Sequence, residues 1–230
     1  MFKRYLSACA VVASLIPGAV SAHHGLDFVS VQTVHLPEQG AGYTIGRIDY
    51  ISEDEDEMEF EPALLYGATD WLTLELHAHF EKENGESANY ESLAPALHFR
   101  LTPREQQFSF GVSVEYEFAN DSAEDDVLEL AAIIGYEFSD WMVTANLLLE
   151  DPSGSSGEWG YAAGVRHSFS HHYAFGLELN GSFENSNSSA VLIGYYGELS
   201  KQFSINAGIG TGVDNELDWS ARTAFIWQFK

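Results

Sequence analysis

The sequence predicts an all-β protein, a transmembrane, antiparallel, up-and-down β-barrel of about 12 strands. Three observations carry this. The stretch Trp71–Glu81 sets Leu72, Leu74, Leu76, Ala78 and Phe80 on one face and Thr73, Glu75, His77, His79 and Glu81 on the other. Successive strand side chains point to opposite faces, so this is one strand, apolar on one side and charged on the other. The same two-residue beat recurs about a dozen times, as a barrel facing lipid outside and water inside requires. A secretory leader precedes it all.

The leader spans residues 1–22. Lys3 and Arg4 form its basic start, Leu6 to Val20 its apolar run, and Val20-Ser21-Ala22 its small-residue cleavage site. Leu6-Ser7-Ala8-Cys9 imitates a lipoprotein box but stands before the apolar run, where no lipidation box works. Cys9 is the one cysteine of the 230 residues, so the processed chain from His23 has neither disulfides nor thiolate ligands. After the leader no run of about 18 apolar residues occurs, and no membrane helix is expected. A closed barrel still spans a bilayer, because closure satisfies every backbone donor and acceptor. The 35 acids against 10 Lys+Arg, formal net charge −25, argue against nucleic acid as partner and favour cations.

Residues 23–40 carry Gly25, Pro37 and Gly40 and are read as a periplasmic N-terminal segment. The pattern leaves it free to hang there, add a strand or enter the lumen. The barrel then runs over 41–230, with strands near 42–51, 57–66, 71–81, 91–101, 107–118, 127–138, 141–150, 159–169, 172–183, 189–199, 202–211 and 217–229. Short turns fall around Gly67–Asp70, Thr102–Glu105, Ser139–Asp140, Ser170–His172 and Ser200–Lys201. Longer connections fall around Ser52–Asp56, Lys82–Asn89, Ala119–Asp126, Asp151–Glu158, Glu184–Ser189 and Gly212–Glu216. Short turns mark the periplasmic side of such barrels and long loops the outer side. Four of the short turns, at Thr69, Ser139, Ser170 and Ser200, place Ser or Thr before a polar residue. Phe108–Phe118 and Leu217–Phe229 present the clearest outward apolar faces, and Trp71, Trp141, Trp159 and Trp219 mark both membrane interfaces. Pro62 and Pro95 fall on outward beats, where a missing ladder donor suggests bulges.

The inward beats are acidic. Expected pore-lining residues are Glu59, Glu61, Glu75, His77, His79, Glu81, His98, Arg100, Glu115, Glu117, Glu129, Glu137, Arg166, Glu178 and Arg222, with Glu150, Glu198 and Asp218 on the same beats. Only Arg100, Arg166 and Arg222 are expected to oppose the acids. A ring of carboxylates selects cations by sign. Twelve strands lie between a side-chain-filled barrel and a wide aqueous one, so the lumen should be narrow.

His77 and His79, two apart on one strand, place their rings about 7 Å apart by strand rise. With flanking carboxylates they suit zinc, copper or nickel, although a hydrogen-bonded histidine pair explains them too. His23 and His24 form a second metal candidate, because cleavage after Ala22 frees the His23 amine beside its ring. No hydrolase constellation is present: His167, Ser168 and Ser170 lack an orienting acid, and no Gly-x-Ser-x-Gly elbow occurs. The chain is therefore not expected to be an enzyme or to carry a cofactor.

Taken together, His23-His24-Gly25, Leu36-Pro37-Glu38-Gln39-Gly40 and Tyr66-Gly67-Ala68-Thr69-Asp70-Trp71-Leu72-Thr73-Leu74-Glu75 resemble a proteobacterial outer-membrane β-barrel transporter group. That group is similar to the channel family named for the meta-pathway of phenol degradation. The resemblance covers about the first third of the processed chain, the rest sharing only the hairpin style. It implies an outer-membrane channel and supplies no catalytic residues. Such barrels usually end on an aromatic residue; here Lys230 follows Phe229. The expectation is thus a monomeric channel in outer-membrane lipid that passes small solutes, cations preferred. The alternative is a plugged structural or metal-binding barrel without transport.

Overall fold

The computed structural model describes residues 26–52, 56–83, 87–121, 123–153, 156–184, 189–213 and 218–230. The leader, His23 and His24 lie outside the described residues. The chain forms β1 (Gly42–Ser52), β2 (Asp56–Gly67), β3 (Leu72–Glu83), β4 (Asn89–Arg100), β5 (Phe108–Ala119), β6 (Val127–Phe138), β7 (Trp141–Pro152), β8 (Glu158–Ser168), β9 (Tyr173–Ser182), β10 (Ala190–Ser200), β11 (Phe203–Gly212) and β12 (Trp219–Phe229). Each pairs antiparallel with its sequence neighbours, and β1 closes on β12 from Gly42↔Phe229 to Ser52↔Trp219. Strands of 10–12 residues, tilted as barrel closure demands, stand about 25–30 Å tall, enough to cross the hydrocarbon layer.

The exterior is layered by side-chain chemistry. Leu76, Ile134, Leu147, Leu177, Ile193 and Ile209 are exposed around its middle. Trp71, Tyr136, Trp141 and Trp227 ring the short-turn end, and Tyr90, Phe118, Trp159 and Trp219 the opposite end. Neighbouring rings touch, as in Trp71–Phe99 at 6.0 Å and Tyr50–Trp219 at 5.0 Å between centroids. Exposed apolar surface on this scale is stable only against lipid, and a closed barrel leaves no unpaired edge within it. The protein is a bacterial outer-membrane barrel. Placing a charge in that band is costly: Leu177→Arg is expected to lower stability in lipid vesicles by about 2–4 kcal/mol. Arg at the exposed rim position Glu198 should change it by less than about 0.5 kcal/mol. Urea unfolding in vesicles measures both.

The repeated hydroxyl in the short turns now has a physical reason. Thr69 Oγ1 accepts from the Leu72 N–H at 3.0 Å, Ser170 Oγ from His172 N–H at 3.1 Å and Ser200 Oγ from Gln202 N–H at 3.3 Å. Each closes a turn that has too few backbone bonds of its own. Connection length separates the two ends less sharply than expected. The β1–β2 connection spans only residues 53–55, whereas 101–107 at the short-turn end is longer. That longer turn carries Arg104, which reaches back to the N-terminal segment described below.

The prolines do not form bulges. Beside Pro62 the β2–β3 ladder skips from Phe60↔Phe80 to Ala63↔His77, and beside Pro95 the β4–β5 ladder skips from Leu93↔Phe118 to Ala96↔Glu115. Register is held across both gaps. A missing N–H removes a hydrogen bond to one neighbour only, so the strand needs no extra residue. The β3–β4 irregularity falls instead between His79 and Phe80.

Candidate functional site

The interior is divided. On the β1–β5 side, buried charges fill it. Arg47 of β1 pairs with Asp49, its Nε 3.0 Å from Oδ2, and donates from Nη2 to Glu61, while Arg222 Nε lies 3.5 Å from Asp49 Oδ2. Glu75 hydrogen-bonds His98 Nε2 at 2.6 Å. His77 bridges, its Nδ1 3.4 Å from Glu75 and its Nε2 3.4 Å from Glu115. Glu115, Glu129, Glu150 and Glu158 stand opposite one another on β5, β6, β7 and β8, forming one luminal row. Side chains so paired lie about 4.5–5.5 Å apart at Cβ, so the row concentrates negative potential.

The β5–β11 side is filled by the N-terminal segment. Residues 26–38 run inside the barrel without regular secondary structure. Phe28, Val29, Val31 and Val34 pack against Ile133, Met142, Leu148, Leu192 and Tyr196. A chain with no ladder must satisfy its backbone otherwise, and here barrel side chains do so. Glu178 accepts from Val29 N–H at 2.8 Å, Ser30 N–H at 2.6 Å and Ser30 Oγ at 2.8 Å. Asn146 accepts from Gln32 N–H at 2.9 Å and donates to Gln32 O at 3.0 Å. Asn206 donates to the Leu26 and Phe28 carbonyls, Arg100 to Val34 O, and Arg104 to Leu36 O and Pro37 O. Two glycines make room. A Cβ on Gly164 would meet the Phe28 ring at 2.6 Å, and one on Gly111 would meet Val34 Cγ1 at 2.4 Å. Gly40, at φ 79°, turns the chain out of the lumen into β1.

One clasp ties the segment to the barrel at the short-turn end. His35 Nδ1 donates to Asp27 Oδ2 at 2.7 Å, its Nε2 donates to Glu137 Oε1 at 2.8 Å, and Arg166 Nη2 lies 3.2 Å from Asp27 Oδ1. The Asp27 charge pushes His35 up to about 10 against the opposing effect of burial. Burial pushes Asp27 up, but His35 and Arg166 outweigh it and hold its carboxyl well below the usual range. An undocked His35 titrates near about 6.5. The clasp is therefore fully present below that pH and is lost as pH rises through about 10. The expected outcome is release of the segment on raising pH from 7 towards 10, with none on lowering it to 5. Bilayer conductance across that range checks it, and His35→Gln should flatten the response. Beside the clasp a cleft of about 370 Å³ opens, lined by Asp27, His35, Tyr43, Glu198, Lys201 and Gln228 among others.

Of the residues expected inside, Glu61, Glu75, His77, His98, Arg100, Glu115, Glu129 and Glu178 are buried in the interior. Glu59, His79, Glu81 and Glu117 sit partly exposed towards the long-loop end, and Glu137 partly exposed at the other. Roles differ from expectation. Arg100 and Arg166 hold carbonyls and Asp27 of the segment, so they do not serve mainly as counter-charges to the wall. Arg47 and Asp49 are the central ion pair and were not anticipated. The polar-inside expectation fails on the β6–β11 wall, where inward Ile133, Leu148 and Leu192 receive the segment. Glycines on the inward beats, Gly111 and Gly164, were the available signal. His77 and His79 lie near different carboxylates: His77 between Glu75 and Glu115, His79 towards Glu59.

No protein-family profile matches the chain, and no curated protein sequence matches it. Solved structures do. The KdgM porin superposes with TM-score 0.61 at 10% identity, covering 82% of this chain and 99% of that one. The COG4313 outer membrane channel from Pseudomonas putida F1 superposes with TM-score 0.61 at 13% identity, covering 85% and 97%. The Ralstonia pickettii toluene transporter TbuX covers 93% and 98% with TM-score 0.51 at 10% identity. At such identities the likeness is one of fold, and the fold is that of outer-membrane channels and transporters.

Proposed function

We propose that this chain is an outer-membrane channel for small solutes whose acidic lumen favours cations, and that the conformation described above is its closed state. The Glu115–Glu129–Glu150–Glu158 row is the observation that carries this reading. Carboxylates in adjacent register repel one another, and a passing cation relieves that repulsion where an anion adds to it. Glu61 and Glu75 add carboxylates on the β1–β5 side, where Arg47 and Arg222 oppose them in part. The fold shared with porins and transporters supports a channel role. The kinship with meta-pathway phenol-degradation channels belongs to the same proposal, carried by the Tyr66–Glu75 hairpin. The toluene named for TbuX is an uncharged apolar cargo, and the carboxylate row is no match for it.

Reversal potential under a KCl gradient tests the charge preference. In planar bilayers, open events should reverse towards the potassium equilibrium potential. Glu115→Gln combined with Glu129→Gln should reduce the cation-to-anion permeability ratio several-fold. Anion preference in the unsubstituted chain would overturn the reading.

A further inference from the structure

We infer that Glu59, Glu61 and His79 form a binding site for a first-row divalent transition cation, with Zn²⁺ as its representative. One donor atom from each residue lies within 4.8 Å of the others. The His79 Nε2 atom is buried, makes no hydrogen bond, and stands 3.9 Å from Glu59 Oε1, too far for direct bonding. A buried imidazole nitrogen facing two carboxylates across such a gap is the arrangement that an ion closes. Zinc holds N and O donors at about 2.0–2.2 Å, which sets donors about 3–3.5 Å apart. The three side chains therefore need to draw together by at most about 1–2 Å, and Glu59 and His79, both partly exposed, can do so. One imidazole with two carboxylates favours zinc and its neighbours over calcium or magnesium, which take oxygen alone.

Neighbouring residues support the site. Arg47 holds Glu61 through Oε1 and so fixes that carboxylate's orientation, as partners outside a metal's own ligands commonly do. Asp49, Glu59, Glu61 and Glu81 set four carboxylates against the two guanidiniums of Arg47 and Arg222 in this part of the wall. A dication balances that excess. The backbone is adapted too. By register Glu61 stands opposite His79, and the β3–β4 irregularity falls immediately after His79. Such irregularities re-aim side chains. The site shares no residue with the N-terminal segment or with the Glu115–Glu158 row. It binds whether or not the lumen conducts.

Zn²⁺ titration by calorimetry on the full processed chain, refolded in detergent, tests this. His23→Ala and His24→Ala are introduced first, so that the tail adds no sites. About one equivalent should bind. Affinity should fall at least tenfold in His79→Ala and again in Glu59→Gln, and hold in His77→Gln. Co²⁺ should give a visible absorption band that disappears with the His79 ring, a readout independent of heat. Circular dichroism confirms that each variant keeps its strands, and Glu59→Gln serves if His79→Ala does not refold. Absence of Zn²⁺ binding, equal binding in both site variants, or Ca²⁺ binding as tight as Zn²⁺ would overturn the assignment. These readings are separate from conductance, so a failed channel reading leaves them unaffected.

Discussion

Deleting residues 26–38 is expected to convert a nearly silent barrel into a conducting one, with single-channel conductance rising at least tenfold. The twelve strands close through β1 and β12 without help from this segment, so the barrel should still assemble. The apolar anchors Phe28, Val29, Val31 and Val34 are all buried in the lumen. Burial of each such side chain contributes about 1.5–3 kcal/mol, an upper bound on what the segment loses by leaving. Undocking is therefore rare in the intact chain. Its removal leaves Ile133, Met142, Leu148, Leu192 and Tyr196 facing water in the lumen. Conductance equal to that of the intact chain would mean that the segment is not what blocks passage.

Glu178→Ala is the second large effect. This one carboxylate accepts from two backbone N–H groups and the Ser30 hydroxyl, and also from Tyr196 O–H at 2.7 Å. Each hydrogen bond to a charged acceptor is worth about 1.5–3 kcal/mol, and the donors left behind lose their solvation as well. A conservative loss of about 3 kcal/mol shifts the docked-to-undocked ratio by roughly 100-fold. Open probability in bilayers should rise accordingly, and amide exchange at Val29 and Ser30 should accelerate by a similar factor. Glu178→Gln is expected to act in the same direction but less strongly, because one amide oxygen still accepts while its NH₂ faces donors. Unchanged exchange at both amides would show that packing alone holds the segment.

Strand positions were legible because a barrel strand repeats every two residues and turns carry their own chemistry. The expected 127–138 strand is β6, and the other boundaries differ by at most two residues. Lipid contact was legible for the same reason: the outward residues of β5 are Phe108, Phe110, Val112, Val114, Tyr116 and Phe118, and they alternate with buried or half-buried partners. The interior was legible only by face. Glu178 lies on an inward beat like Glu129, yet its chemistry comes from Val29 and Ser30, about 150 residues away in the chain.

The sequence by itself determined the barrel, its outward grease and which residues fall on inward beats, because these follow from local periodicity and from the cost of unpaired backbone in lipid. The tertiary structure alone decided what each inward side chain faces. Closing the sheet brings β1 beside β12, so Arg47 and Asp49 meet Arg222, and it turns an irregular N-terminal stretch into the filling of the lumen. It also sets His77 and His79 against different carboxylates, His77 between Glu75 of its own strand and Glu115 of β5, and His79 towards Glu59 of β2. Those partnerships depend on register and curvature across strands, and a two-residue repeat along one strand carries no information about either.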